Sequence, residues 1–419
     1  MSDIQEQLAA LRRRIARIDQ KYAGGVPLCT AVPVTQDFRP ARYAVEQWLN
    51  GEEVAAGEGR HFETERLYER HRRYGSMCIS DLADLPADLL DPISGGAIPS
   101  ARPDRWAFLD TETTGLAGGS GTYAFLIGVG HITPEGFRVR QFFMREYAEE
   151  PSLLTGLSEF LGRFDVLITY NGKTYDQPLL ETRYRMSRMR PPFDRMSHLD
   201  LLFGARRLWK LRFESCRLVD LENRILGVER EGDLPGEMIP YVYFEYLRTR
   251  EAWRVAPILH HNVMDIVTLA CLTGVVPWAF HSPERAQLTH GAEMVGLARW
   301  FQQAGELERA CDLYRRGIQC GLRDELLFRT MWDLACLEKR REHDDAATAI
   351  LADLAASPNA FRAAAYEELA KRYEHREKNF EMALEMTRCA LSLGDSAGLR
   401  KREQRLQRRA AQPKPRRLL

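Results

Sequence analysis

The chain lacks an excess of either charge: Lys plus Arg and Asp plus Glu each total 59 in 419 residues. Bulk electrostatics therefore argues for no polyanionic partner, and any such partner must be met by local patches. The cysteines lack pairing. Cys29, Cys78, Cys216, Cys271, Cys311, Cys320, Cys336 and Cys389 are scattered and form no CxxC motif, which argues against a structural zinc site and suits reduced thiols in a cytoplasmic protein. No run of about 18 apolar residues occurs. The first stretch, MSDIQEQLAALRRRIARIDQKYA, is charged throughout and has no apolar signal core. The expectation is a cytoplasmic chain, neither exported nor held in a membrane.

What is present is ample core material. Hydrophobic residues make up 45% of a chain longer than one core usually serves, so two or three domains are expected. Residues 1–95 read as an N-terminal helix followed by an irregular accessory region. Over 1–22, Ile4, Leu8, Leu11, Ile15 and Ile18 recur at helical spacing, with Arg12, Arg13, Arg14, Arg17 and Lys21 mostly elsewhere around the helix. That helix either docks by its apolar stripe or offers a basic contact surface.

From 96 to 282 the period changes. WAFLD (106–110), TYAFLIGVG (122–130) and FRVRQFFMR (137–145) predict three consecutive strands. Alternation follows: a helix near 151–162, a strand at 165–170, a helix from 176, a strand HLDLL at 198–202, and helices ending with one over 257–275. Three strands leading into this alternation predict an α/β mixed sheet with helices on both faces, the element order of a ribonuclease H-like domain.

Residues 283–398 carry a repeat. LARWFQQAGELERACDLYRRGI places Leu297, Ala298, Phe301, Gly305, Ala310, Tyr314 and Gly317 where a tetratricopeptide helix pair packs its small and large residues. Ala335, Ala347 and Leu351 repeat the scheme. Ala370, Tyr373, Ala383 and Ala390 do so again, with about one extra residue in the turn. Residues 399–419 read as a basic, disordered tail able to touch phosphates.

The chemistry is concentrated in AFLDTETTGL (107–116). An apolar strand ending in Asp110, with Glu112 two residues on, turns both carboxylates to one side because strand side chains alternate. Such a pair repels itself unless a cation neutralises it, and hard oxygens suit magnesium or manganese. Thr113, Thr114 and Gly115 add hydroxyls, N–H groups and a position without a side chain, so a phosphate or sugar can come close. A two-metal site needs about four carboxylates around ions about 3.5–4 Å apart. More acids must come from elsewhere.

LITYNGKTYDQPLL (167–180) supplies Asn171, to bond substrate or brace its turn, and Asp176, a helix cap that can also be a ligand. APILHHNVMDIVTLACL (256–272) supplies Asp265, which would be costly to bury unpaired in an apolar helix and which a metal would explain. On a regular helix His261 lies about 40° from Asp265, whereas His260 lies about 140° away. His261 is the expected general base and His260 the alternative.

DTETTG at 110–115, YNGKTYD at 170–176 and HHNVMD at 260–265 resemble, in order and spacing, the three motifs of the DEDD exonucleases, the DnaQ-like branch of the ribonuclease H-like superfamily. With its C-terminal tetratricopeptide-like repeats the chain resembles the YprB-like exonucleases, also called mitomycin repair factor B-like proteins, over roughly 96–395. The resemblance implies two Mg2+ or Mn2+ ions held by Asp110, Glu112, Asp176 and Asp265, with a histidine of the third motif as base. It also implies hydrolysis of nucleic acid from the 3′ end to 5′-mononucleotides, with DNA in a repair setting as substrate. The partners implied are a DEAD/DEAH-type helicase and a protein bound by the repeats. GARRLWK (Arg206, Arg207, Trp209, Lys210) reads either as a track for single strands or as an ordinary charged helix face. Two rival readings are a 3′–5′ exoribonuclease and a non-catalytic adaptor built on the repeats.

Overall fold

The computed structural model describes residues 45–115, 121–286 and 288–411. The helix expected at 1–22, Cys29 and the end of the basic tail lie outside the described residues. In chain order, α1 (Val45–Trp48) precedes β1 (Gly51–Ala56) and β2 (Gly59–Glu69), a short pair β3 (Arg73–Tyr74) and β4 (Met77–Cys78), and α2 (Leu90–Ser94). Then come β5 (Trp106–Thr113), β6 (Ala124–Thr133), β7 (Gly136–Phe143), α3 (Glu150–Leu161), β8 (Val166–Thr169), α4 (Asp176–Met186), β9 (Ser197–Asp200) and α5 (Leu201–Trp209). Seven strands form one mixed sheet in the order β1-β2-β7-β6-β5-β8-β9, antiparallel from β1 to β5 and parallel across β5, β8 and β9.

β5 is central because its first half is apolar on both faces: Trp106, Ala107, Phe108 and Leu109 are all buried. The expected strands are present, with HLDLL divided: its strand ends at Asp200, whose side chain caps α5 by accepting from the Leu202 N–H at 3.2 Å. Gly51–Glu69, which the sequence reading left in an irregular accessory region, supplies two more strands to this same sheet. Their outward positions are charged (Glu53, Arg60, Glu65), a pattern that does not announce itself as core; β1 is the sheet's edge strand and β2 lies between it and β7.

Helices cover both faces. Tyr184 of α4 bonds to Ser158 and Leu154 of α3 on one face. After α6 (Leu218–Leu221) and α7 (Ile239–Thr249), the other face receives α8 (Ala256–Thr273) and α9 (Val276–His281). The stretch Ala252–His281 contains an 18-residue window with a mean hydropathy of 1.8, long and apolar enough to cross a membrane by composition, but 78% of that window is buried within the protein. It is the sheet's core helix. α8 comes so close to β6 that a Cβ on Gly128 would lie 2.2 Å from both Asn262 Oδ1 and Ile266 Cδ1.

Beyond 290 the chain is helical: α10 (Gly291–Gln303) with α11 (Leu307–Gln319), α12 (Asp324–Arg340) with α13 (Asp344–Ala356), α14 (Arg362–His375) with α15 (Phe380–Leu393), and a last helix α16 (Ala397–Ala410). The repeat positions Ala298, Ala310, Tyr314, Ala335, Ala347, Leu351, Ala370, Ala383 and Ala390 are all buried between helices. α10 presses on α5, since a Cβ on Gly296 would meet the Arg207 carbonyl at 2.1 Å. The basic tail differs from expectation over its first part. α16 is folded, with Ser396 capping it, Leu399 and Leu406 buried, and Arg405 forked onto Glu374 at 2.9 and 2.8 Å.

Candidate functional site

The site lies at the C-terminal ends of β5 and β8, where the parallel part of the sheet opens. Asp110 and Glu112 emerge there on the same face, the face covered by α8. Asp110 is held from α8: Asn262 donates from Nδ2 to its Oδ2 at 2.8 Å and to its backbone carbonyl at 3.3 Å. Asn262 is oriented in turn by Gln141 on β7, which donates to Asn262 Oδ1 at 2.8 Å and to the Leu259 carbonyl at 2.9 Å, while accepting from Thr64 of β2 at 3.0 Å. Three strands and a helix thus fix one carboxylate.

Asp176 opens α4 and accepts from Thr111 Oγ1 at 2.5 Å, so it is bonded to the residue that separates Asp110 from Glu112. The turn before it is shaped by Asn171, at φ 68°. Asp200 accepts from the backbone N–H groups of Asn171 and Lys173 at 2.8 and 3.1 Å and so locks this turn to β9. Of the two roles read for Asn171, the structure displays the turn. Thr113 and Thr114 likewise spend their hydroxyls locally: Thr113 donates to the Gly115 carbonyl at 2.9 Å, and Thr114 accepts from the Tyr123 N–H at 3.0 Å.

On α8, His261 and Asp265 share a face as helical spacing requires, with Nε2 3.5 Å from Asp265 Oδ2. His261 is buried and His260 exposed. Asp233, from the segment between α6 and α7, accepts at His261 Nδ1 with both oxygens, at 2.9 and 2.8 Å. Burial alone would lower this imidazole's pKa; the Asp233 hydrogen bond and the charges of Asp265 and Asp233 outweigh it and hold it above the ordinary value. Arg230 lies between the acids. Its Nη2 is 2.6 Å from Asp265 Oδ1, its Nη1 3.2 Å from Asp233, and its Nε 2.5 Å from Glu222, which also accepts from Tyr74 and Thr268.

The acids feel one another. Burial, then the charges of Asp265 and Asp176, push the Asp110 carboxyl well above the usual range. Burial, then Asp110, Asp265 and Asp176, do the same to Glu112. Burial raises Asp176 to about 6 against the opposing Thr111 hydrogen bond. Negative charge is therefore concentrated here beyond what Arg230 offsets, and the donors are hard oxygens, the chemistry that fits a divalent cation. Among the described residues no three acid, histidine or cysteine side chains converge tightly enough to grip one ion. Three of the four acids instead rest on a protein partner: Asn262 for Asp110, Thr111 for Asp176, Arg230 for Asp265.

Among known proteins, the uncharacterized protein YprB of Bacillus subtilis (strain 168) is 35% identical over 300 residues, which is 71% of this chain and 71% of its own. The chain belongs to the YprB family. Within this family member, the RNase_H superfamily profile matches residues 107–276, a span that contains Asp110, Glu112, Asp176, His261 and Asp265. The domain is RNase H-like, in keeping with the sheet order. A family B DNA polymerase from the hyperthermophilic archaeon Pyrobaculum calidifontis superposes at a TM-score of 0.34 and 14% identity, over 49% of this chain and 30% of the polymerase, too loosely to bear on function.

In this YprB-family chain the sequence reading singled out the acids and His261 but missed Asn262, Gln141, Asp233 and Arg230. Asn262 carried a signal, since a buried amide one helical turn from Asp265 needs partners. The others reach the site from a different strand and a non-repetitive segment, which no local pattern reveals. One expectation needs correction: Trp209 cannot stack on bases, because it is buried and its indole N–H donates to Glu293 at 3.0 Å. Arg206, Arg207 and Lys210 remain exposed.

Proposed function

We propose that this YprB-family chain is a divalent-metal-dependent 3′–5′ exonuclease acting on DNA. The observation that carries the reading is the gathering of Asp110, Glu112, Asp176 and Asp265, with Asp110 and Glu112 raised by burial and by the charges of the other acids and Asp265 answered by Arg230, beside a histidine braced by Asp233. In this reading the four acids hold two magnesium or manganese ions. Bound there, such ions neutralise the acids, stabilise charge on the scissile phosphate and acidify water.

The chain's own residues do the rest. Asp233 fixes the ring so that Nδ1–H points to it and Nε2 points toward the acids, ready to take a proton from the water that attacks phosphorus. Gln141 and Asn262 keep Asp110 from swinging, and Thr111 does so for Asp176. Arg230 screens Asp265 from its neighbours. The helical hairpins, read as tetratricopeptide-like, would serve a protein partner. The DNA repair setting and the 3′ polarity rest on the resemblance of the three motifs to DEDD exonucleases.

The test is product analysis with Mg2+ or Mn2+ on 5′-labelled DNA and RNA oligomers, each with a free or a blocked 3′ end. Shortening from the free 3′ end of DNA, release of 5′-mononucleotides, and loss of about 10³-fold in rate with Asp110→Asn are expected. Digestion of RNA alone would move the substrate to the exoribonuclease reading, and metal-independent or absent cleavage would refute the proposal.

A further inference from the structure

Between the sheet domain and the first helical hairpins lies a groove of about 640 Å³. Arg212, Phe213 and Arg224, from the segment after α5, line one wall, and His290, Arg323 and Arg329, at the starts of α10 and α12, line the other. Four arginines meet a single acid in this lining, Glu325. Phe213 is a pedestal: the guanidinium carbons of Arg212 and Arg224 lie 4.6 and 4.8 Å from its ring centroid. An aromatic face positions cations without cancelling their charge for a ligand. Arg212 is answered by Glu293 at 2.6 Å and Arg329 by Asp333 at 3.2 Å. Arg224 and Arg323, both exposed, pair with no acid among the described residues.

A second cavity of about 490 Å³, among α12, α13, α14 and α16, shows the contrast. There Lys339 pairs with Glu368, Lys371 with Glu367, Arg372 with Asp345 and Arg376 with Asp344, so its basic side chains are largely neutralised internally. The first groove keeps its positive charge. It is also tied to the acids. The carbonyl of Cys216, beyond Phe213, accepts from Tyr170 at the turn before Asp176. Glu222, two residues before Arg224, reaches Asp265 through Arg230 by contacts of 2.5 and 2.6 Å.

We propose that this groove binds the sugar–phosphate backbone of a single nucleic-acid strand, holding the part of the substrate that has not yet reached the acids. The proposal rests on the nuclease reading for its place in the reaction. The occupant itself follows from unpaired guanidinium charge, an aromatic base to the wall, and a segment shared with the acid cluster.

The experiment is fluorescence anisotropy of a labelled oligothymidylate with the full chain in EDTA, titrated with salt. Arg224→Glu/Arg323→Glu is expected to weaken binding about 10-fold at low salt and to flatten the slope of log K against log salt by about 1.4, two contacts at about 0.7 each. Arg224→Lys/Arg323→Lys should retain most of that slope, and an unchanged melting temperature shows that the variants fold. Unaltered affinity and slope in the charge-reversed variant would overturn the proposal. So would loss of binding to a poly-glutamate peptide with oligothymidylate binding intact, which would assign the groove to an acidic protein segment. If the wild type binds and the variant does not, while the wild type cleaves nothing with manganese, the groove stands and the nuclease reading falls.

Discussion

Asp233 gives His261 what its own helix cannot. Four residues along α8, Asp265 is near Nε2, but only a group from outside the helix can reach Nδ1 and fix which nitrogen carries the proton. Asp233→Asn is therefore expected to lower kcat about 100-fold while oligonucleotide affinity measured in EDTA stays the same. An unchanged kcat would make the pair merely structural. A different histidine contributes to the behaviour in acid, alongside His131, which burial also pushes down to about 4. His198 is locked in its neutral form, donating from Nδ1 to Gln177 at 2.6 Å and accepting at Nε2 from Thr169 at 2.8 Å, and burial pushes its pKa down to about 4. Because the folded value is below the unfolded one, the stabilisation is complete above about pH 6.5 and is lost as pH falls toward 4, by at most about 1.4 kcal/mol per pH unit. His198→Asn should reduce this slope in urea melts taken across that range; an identical slope would assign the acid lability elsewhere.

At the scale of elements, the contact of α8 with β6 decides whether the third motif meets the first. Gly128 pairs with Asp110 across the sheet and leaves room for Asn262 and Ile266. A methyl group there would push α8 outward and carry His261 and Asp265 with it. Gly128→Ala is expected to cost about 1–3 kcal/mol in stability and to reduce cleavage more than substrate affinity. Full activity in that variant would mean that α8 is not the element that sets the geometry. The central strands and α8 were legible because their apolar runs are long and their breaks sharp. β1 and β2 were not, since charged residues interrupt them without a clean alternation and the buried His61 and Glu63 are satisfied by Ser152, each other and Arg140. α16 hid for a related reason: its helix is stabilised by Ser396 and by Arg405 on Glu374, a residue of another repeat, rather than by an apolar stripe.

At the scale of the molecule, residues far apart in the chain are brought to one place: a strand end, a helix start, and the middle of a core helix. Three motifs announced that convergence, because carboxylates behind apolar strands and inside an apolar helix are costly without a common purpose. The braces did not announce themselves; Gln141, Asp233 and Arg230 acquire meaning only when the sheet and the segment before α7 are folded around them. Clustered negative charge opposes folding until it is neutralised, so a cation that binds the folded site stabilises the whole chain by mass action. The most direct measurement is manganese titration of the protein by calorimetry together with thermal melts, comparing the wild type with Asp110→Asn/Asp265→Asn. Two ions bound by the wild type, with a melting temperature that climbs with manganese, and neither effect in the variant, is the expected result. Equal manganese uptake and equal melting shifts in both proteins would contradict the claim that these acids form a metal site.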